Sequence, residues 1–253
     1  MDPAGSSALV TGAASGLGAA TARHLASLGA RVAILDRDAV RGRAIADEIS
    51  GTFCECDVTD PVSAGAAIAK AAASHGPARV LVNCAGIGGA ARIVGRDGPM
   101  PLESFERIVR VNLIGSFNMM RLAAAAMSAL EPTSTGERGV IISTASVAAY
   151  EGQIGQAAYS ASKGGIVALT LPAARELARF GIRVLTIAPG LFQTPLLEEL
   201  PEEARAGLAA SIPFPSRLGA PQEFAQLVAA MVANPYLNGE TVRLDGALRM
   251  QPK

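Results

Sequence analysis

The chain has 253 residues, 50% of them apolar and only 17% charged, with 22 basic side chains matched by 22 acidic ones. That composition supplies a large core, and the lack of a basic stripe argues against a nucleic-acid partner. No apolar stretch is long enough to span a bilayer, and Met1–Ser7 lacks the basic and apolar segments of a signal peptide. Cys54, Cys56 and Cys84 form no C-x-x-C pair and read as reduced thiols of a cytoplasmic protein.

A strand-then-helix rhythm starts at once. Ser7–Thr11 is a short apolar run ending at Gly12, and Gly16–Leu28 follows with helical spacing and a stop at Gly29. Arg31–Asp36 predicts a second strand, Ala39–Ile49 a helix, Thr52–Asp57 a third strand and Val62–Ser74 an Ala-rich helix closed by Gly76-Pro77. Arg79–Cys84 is a fourth strand, and Leu102–Ala129 holds one or two helices broken or bent near Gly115. Gly139–Thr144, Ile182–Ala188 and Glu240–Leu244 complete the strands, with Ala157–Phe180 and Pro221–Ala233 as helices. Continuous apolar strands alternating with helices predict an α/β protein, a Rossmann-type doubly wound parallel sheet with helices on both faces, in a single domain. Two segments, Gly86–Pro101 and Pro189–Ala220, break the rhythm; the second carries five prolines, Pro195 among them. Both are expected as long loops at the carboxyl edge of the sheet, the second over the substrate.

The first strand runs into Thr11-Gly12-Ala13-Ala14-Ser15-Gly16-Leu17-Gly18, a T-G-x-x-x-G-x-G turn that opens a helix. Glycines let the backbone turn tightly and approach a pyrophosphate, while the helix N-terminus supplies N–H groups and positive dipole. Asp36 ends the second strand, at the offset of a carboxylate that binds the ribose hydroxyls; the plainer reading is a cap for the next helix. A carboxylate there repels a 2′-phosphate, so NAD is the expected cofactor, although Arg37 is adjacent. Asp57-Val58 and Asn83-Cys84-Ala85-Gly86 end the next two strands, where a carboxylate, a backbone N–H and small residues can face the dinucleotide. Turn chemistry alone accounts equally well for any one of these taken singly.

Tyr159 and Lys163 stand at i and i+4 on one face of a predicted helix. Free tyrosine titrates near ~10, and a nearby cation is expected to lower that value into the range of a useful base. Ser146, just past the fifth strand, is placed to hydrogen-bond a substrate oxygen; Ser143 falls within the strand. Asn112 is a polar residue in an apolar helix, either a kinking residue or an anchor for water linked to Lys163. His24 and His75 lie on separate helices without metal-ligand spacing, so neither a metal site nor a Ser-His-Asp hydrolase is expected.

Together Thr11–Gly18, Asn83–Gly86, Asn112, Ser146, Tyr159–Lys163 and Pro189-Gly190 resemble the classical short-chain dehydrogenase/reductase family over the whole chain. Within it, Ser143–Leu177, Ile187–Leu197, Pro213–Gly219 and Asn234–Pro252 are similar to the type 2 3-hydroxyacyl-CoA dehydrogenases, a group also called 17β-hydroxysteroid dehydrogenase type 10. The resemblance implies an NAD-dependent homotetramer that oxidises short-chain 3-hydroxyacyl-CoA thioesters, 2-methyl-branched ones included, and steroid alcohols more slowly. It further implies that Ser15, Leu17, Asp36, Asp57, Val58, Cys84, Pro189, Gly190, Phe192 and Thr194 touch NAD, and that Gln153 and Gln156 line the acyl site. The alternatives are a hydroxysteroid or other free-alcohol dehydrogenase and, more distantly, a dinucleotide-sensing protein without turnover.

Overall fold

The computed structural model describes residues 1–194 and 201–252; Pro195, in the proline-rich segment, and Leu197 lie outside the described residues. The chain opens with β1 (Ser7–Thr11), α1 (Gly16–Ser27), β2 (Arg31–Asp36), α2 (Ala39–Glu48), β3 (Thr52–Glu55), α3 (Pro61–His75) and β4 (Val80–Asn83). A two-stranded hairpin, β5 (Val94–Gly95) and β6 (Gly98–Pro99), precedes α4 (Leu102–Val109), a π-helical turn (Arg110–Gly115) and α5 (Ser116–Ser128). Then follow β7 (Gly139–Thr144), α6 (Ala157–Leu177), β8 (Ile182–Pro189), α7 (Glu202–Ala210), α8 (Pro221–Ala233) and β9 (Thr241–Leu244).

Seven strands form one sheet in the order β3-β2-β1-β4-β7-β8-β9, every neighbouring pair parallel. Parallel neighbours need crossovers, and those crossovers bury both faces of the sheet. Alternate residues therefore go to opposite sides. Val10, Ile34, Val82, Ile142 and Leu185 pack with α1, α2 and α8, whereas Leu9, Leu35, Leu81, Ile141 and Val184 pack with α3, α5 and α6. Alanines on the inward helix faces, such as Ala19 and Ala22 on α1 and Ala64, Ala67 and Ala71 on α3, let the helix axes come close to the sheet. The strand order reverses between β1 and β4, which opens a crevice at their carboxyl ends.

The expected doubly wound parallel sheet is the observed one, and the structure differs in three local places. The Gly86–Pro101 segment contains the short β5–β6 hairpin. The proline-rich segment contains α7, with Pro201 at its N-cap and Glu202 and Glu203 in its first turn. Proline and acidic residues are favoured at a helix start, so Pro201 marks a helix rather than breaking one. The bend expected near Gly115 is the π-helical turn, whose wider winding places Asn112 in the interior.

Arg183 on β8 is buried and donates to Glu137 Oε1 at 2.7 Å and to the carbonyls of Met231, Val232 and Leu237 at 2.8–3.0 Å. This knot locks the start of β8 to the end of α8. Neutralising the carboxylate leaves a buried guanidinium uncompensated. Glu137→Gln should lower the unfolding free energy by about 3 kcal/mol, read from the urea midpoint at unchanged slope.

Candidate active site

The glycine turn after β1 is shaped by close packing. Gly12 (φ +63°) and Gly16 (φ +53°) adopt left-handed backbone, and a Cβ at Gly12 would stand 2.7 Å from the Cα and N of Ala85. A Cβ on Gly18 would overlap the carbonyl of Gly12. Thr11 Oγ1 accepts from the amides of Cys84 and Ala85 at 3.2 and 3.1 Å, which clamps the end of β1 to the end of β4. Thr11 heads the glycine motif in the sequence, but nothing local there points to this clamp; its place in register with Asn83 is the signal that marks it. Ser15 stands at the N-cap of α1 with its side chain making no capping bond, which leaves the N–H groups of the first helical turn without a side-chain acceptor from it. Leu17 packs against the core.

Asp36 is drawn into the same turn. One carboxylate oxygen accepts from Ala14 N at 2.9 Å and the other from Asp38 N at 3.0 Å. Asp38, not Asp36, caps α2 by accepting from Arg41 N, which removes the plainer reading of Asp36. Asp57 loses some hydration by partial burial, yet hydrogen bonds from the Thr59 hydroxyl and amide, with Arg37 beside it, hold its carboxyl below the usual range. The Arg37 guanidinium lies 3.8 Å from Asp57. The Val58 side chain packs on Gly115, and its carbonyl accepts from Asn118 at 2.9 Å.

The four residues Asn83 to Gly86, at the end of β4 and just past it, divide by role. Asn83 is buried and donates to Ser116 O and Ser143 Oγ at 3.3 and 3.4 Å, so it joins the sheet to α5 instead of facing the crevice. Cys84 accepts from Thr144 Oγ1 at 3.7 Å, and burial pushes its thiol up to about 11. Ala85 and Gly86 are where bulk is excluded. A Cβ on Gly86 would lie 3.2 Å from Asn112 Oδ1 and 3.5 Å from Lys163 Nζ.

The catalytic candidates converge on that glycine. Lys163 is buried on α6 and donates to the carbonyl of Thr144 at 2.7 Å, with its Nζ 5.8 Å from the Tyr159 ring centroid. Ser146 Oγ accepts from Ala148 N at 3.2 Å, which leaves the serine proton free to donate. Burial raises the Tyr159 phenol, and the Ser146 hydroxyl lowers it by less. The downward pull expected from Lys163 is not what sets the phenol, which burial holds above its ordinary value. The physical reason is desolvation, which penalises the phenolate.

Asn112 uses its amide fully. Its Oδ1 accepts from Ile87 N at 2.8 Å, and its Nδ2 donates to Ile87 O and to Ser162 Oγ, both at 3.0 Å. Ser162 in turn donates to Tyr159 O at 2.7 Å. The side chain therefore ties the β4 loop to the catalytic helix and offers no spare proton to a water molecule.

Gly190 abuts Asp245, and Pro189 pairs with Leu244 on β9. Phe192 is buried edge-on against Phe224, so its ring belongs to the core, and its backbone bridges to Gly219; Thr194 is partly exposed. Gln153 N donates to Gln156 Oε1 at 3.0 Å. Gln153 lines a groove of about 760 Å³ with Tyr150, Ile93 and Ser160, whereas Gln156, Tyr159 and Ser146 do not line it.

A glycine cradle with no room for Cβ atoms, an open helix N-terminus and a Ser–Tyr–Lys cluster at one sheet edge define a dinucleotide-dependent oxidoreductase. Residues 6–205 match the short chain dehydrogenase family, and the chain belongs to it; membership implies a nicotinamide dinucleotide cofactor. The chain is similar to 3-hydroxyacyl-CoA dehydrogenase type-2 of Homo sapiens, 54% identical over 97% of this chain and 95% of the relative. For the Drosophila melanogaster protein of the same name the identity is 51%, over 96% of this chain and 97% of the relative. The crystal structure of 3-hydroxyacyl-CoA dehydrogenase type-2 from Mycobacterium avium superposes with a TM-score of 0.95, at 49% identity and 98% coverage of both chains.

Burial pushes the Lys163 ammonium down to about 8, with Cys84 opposing. Between that value and the ordinary one near ~10.4, the unfolded chain binds more protons than the folded one, so stability is gained as pH rises through the window. Urea titrations of the parent and Lys163→Met should show the difference moving by about 3 kcal/mol in the parent's favour from pH 7 to 10.5. A pH-independent difference would place the ammonium in water.

Proposed function

We propose that the chain oxidises the secondary alcohol of a short-chain 3-hydroxyacyl-CoA, 2-methyl-branched ones included, to the 3-oxoacyl-CoA with NAD as acceptor. The observation that carries this reading is the convergence of Ser146, Tyr159 and Lys163 beside the glycine cradle, in a chain half identical to proteins named for that reaction.

NAD is favoured over NADP by charge. Asp36 is anchored by Ala14 N and Asp38 N at the end of β2, where it accepts ribose hydroxyls and repels a phosphate, and Arg37 is directed at Asp57. The turn from Gly12 to Gly18 and the Ser15 hydroxyl would hold the pyrophosphate at the α1 N-terminus. Asp57 and Val58 border the adenine, Cys84 to Gly86 the adjoining ribose, and Pro189, Gly190, Phe192 and Thr194 the nicotinamide side. When bound, NAD accepts the hydride that leaves the carbinol carbon.

The chain's own groups manage the proton. Ser146, its Oγ already accepting from Ala148 N, donates to the substrate oxygen and orients it. Tyr159 takes the hydroxyl proton as the C–H bond breaks. Lys163 keeps one proton on Thr144 O; its remaining N–H groups would hold the ribose of a bound dinucleotide, and its positive charge would favour the phenolate. Asn112 holds the loop that borders both groups. Gln153 and Gln156 bound the acyl side.

The reading extends to a cytoplasmic homotetramer. Three free thiols suit a reducing compartment, and Ile114, Phe117 and Leu171 leave apolar surface on the π turn, α5 and α6 for partner helices. A monomeric mass by light scattering would contradict the tetramer.

Tyr159→Phe should abolish NADH production while NADH binding, followed by its fluorescence, stays within about twofold. Substantial turnover by that variant would remove Tyr159 from the chemistry. Asp36→Ala should narrow the preference for NAD over NADP by about tenfold or more in kcat/KM. Steady-state assays of 3-hydroxybutyryl-CoA beside a steroid alcohol decide the substrate, and a far higher kcat/KM for the steroid would overturn the thioester reading.

A further inference from the structure

Four charged side chains that the proposed reaction does not use gather behind the substrate side of the cleft. Arg243, on edge strand β9, makes a planar two-point contact with Glu151, Nη1 to Oε1 at 2.7 Å and Nη2 to Oε2 at 2.8 Å. Its Nε donates to Asp245 Oδ2 at 2.7 Å and Nη2 also reaches Leu248 O at 3.0 Å. Arg249 adds a bond to Asp245 at 3.2 Å and lies 3.7 Å from Glu151. The Arg243 guanidinium also stacks over the Tyr150 ring, 5.1 Å from its centroid. The cluster is partly shielded, with side-chain exposures of 21% for Arg243, 25% for Glu151 and 8% for Asp245. Such a pair is stronger than one on open surface.

What the cluster joins is specific. Glu151 and Tyr150 belong to the segment between Ser146 and α6, which also carries Gln153. Asp245 abuts Gly190 on the nicotinamide side. Leu248 begins a C-terminal strap that crosses the same segment, where Gln153 Nε2 donates to Gln251 O and Ile154 N donates to Pro252 O, both at 3.0 Å. 

These bonds fix the amide orientations. Gln251 O only accepts, so the atom facing it is Gln153 Nε2, and Gln153 Oε1 is left as an acceptor. Gln153 N–H only donates, so the atom facing it is Gln156 Oε1, and Gln156 Nε2 is left as a donor. One fixed acceptor and one fixed donor suit a substrate with a carbonyl near its carbinol.

We propose that Arg243 is a positioning residue for substrate specificity: it locks Tyr150–Gln156 against the Leu248–Pro252 strap and so presents the two glutamine amides to the substrate. The proposal rests on the thioester reading for the substrate's carbonyl. Arginine is required because a flat fork must meet a carboxylate at two points while a third edge reaches Asp245, which a lysine ammonium cannot do.

The test measures KM and kcat for 3-hydroxybutyryl-CoA and the Kd of NADH in the full-length parent, Arg243→Gln, Arg243→Lys and Glu151→Gln. Arg243→Gln should raise KM by about tenfold while kcat changes less and the NADH Kd stays within about twofold. Glu151→Gln, which keeps Arg243 on Asp245 and Leu248, should move KM in the same direction by a smaller factor. Arg243→Lys should recover only part of the loss. Unchanged KM in both Arg243→Gln and Glu151→Gln, or a parallel rise of KM and NADH Kd, would overturn the proposal. Failure of the thioester reading shows separately as no turnover of the thioester by the parent, and the same comparison is then made with the alcohol it oxidises.

Discussion

The approach of the Gly12 backbone to Cys84 and Ala85 is the constraint on which the site depends. The two turns meet with no space for a Cβ, and Thr11 holds them there through one hydroxyl. That contact lies at the reversal point of the strand order, so it brings the N-terminus of α1 to the mouth of the crevice. A side chain at Gly12 would need a left-handed backbone and would also push β1 and β4 apart. The dinucleotide cradle and the spacing of the central strands are thus one packing problem.

The catalytic side answers to the same crevice. Gly86 leaves its edge thin enough for Asn112 and Lys163 to reach it from two different helical segments. Asn112 gets there because the π-helical turn adds width where a regular helix would keep its side chain on another bearing. Its amide then ties Ile87 to Ser162 and, through Ser162, to the carbonyl of Tyr159. Burial works against ionising Tyr159 and against charging Lys163, so both groups depend on what is set beside them in the crevice.

The sheet and much of the site are legible in the sequence because they rest on short-range signals. Continuous apolar runs bounded by glycine mark β1, β2 and β7 to the residue, and the Tyr159–Lys163 spacing marks a helix face. What escaped depends on contacts distant in the chain. Thr11 has no local oddity and acts on residues 73 and 74 positions away. The Arg243–Glu151 contact spans 92 positions, and charge alone does not reveal its partner. Phe192 looked like a cofactor contact, yet packing with Phe224 from α8 takes its ring. The α7 helix was hidden by the prolines that start it and follow it. The direction of the Tyr159 shift also required burial, which a spacing argument does not contain.

Direct transfer of hydrogen from the carbinol carbon to the cofactor is the step that every residue role proposed for this site serves. The most direct measurement is a single turnover of 3-hydroxybutyryl-CoA carrying deuterium at the carbinol carbon, with NAD, followed by mass analysis of the reduced cofactor. The predicted result is one deuterium in NADH and none in solvent, with a slowed rate relative to the unlabelled thioester. Label released to water, or no reduced cofactor at all, would contradict it.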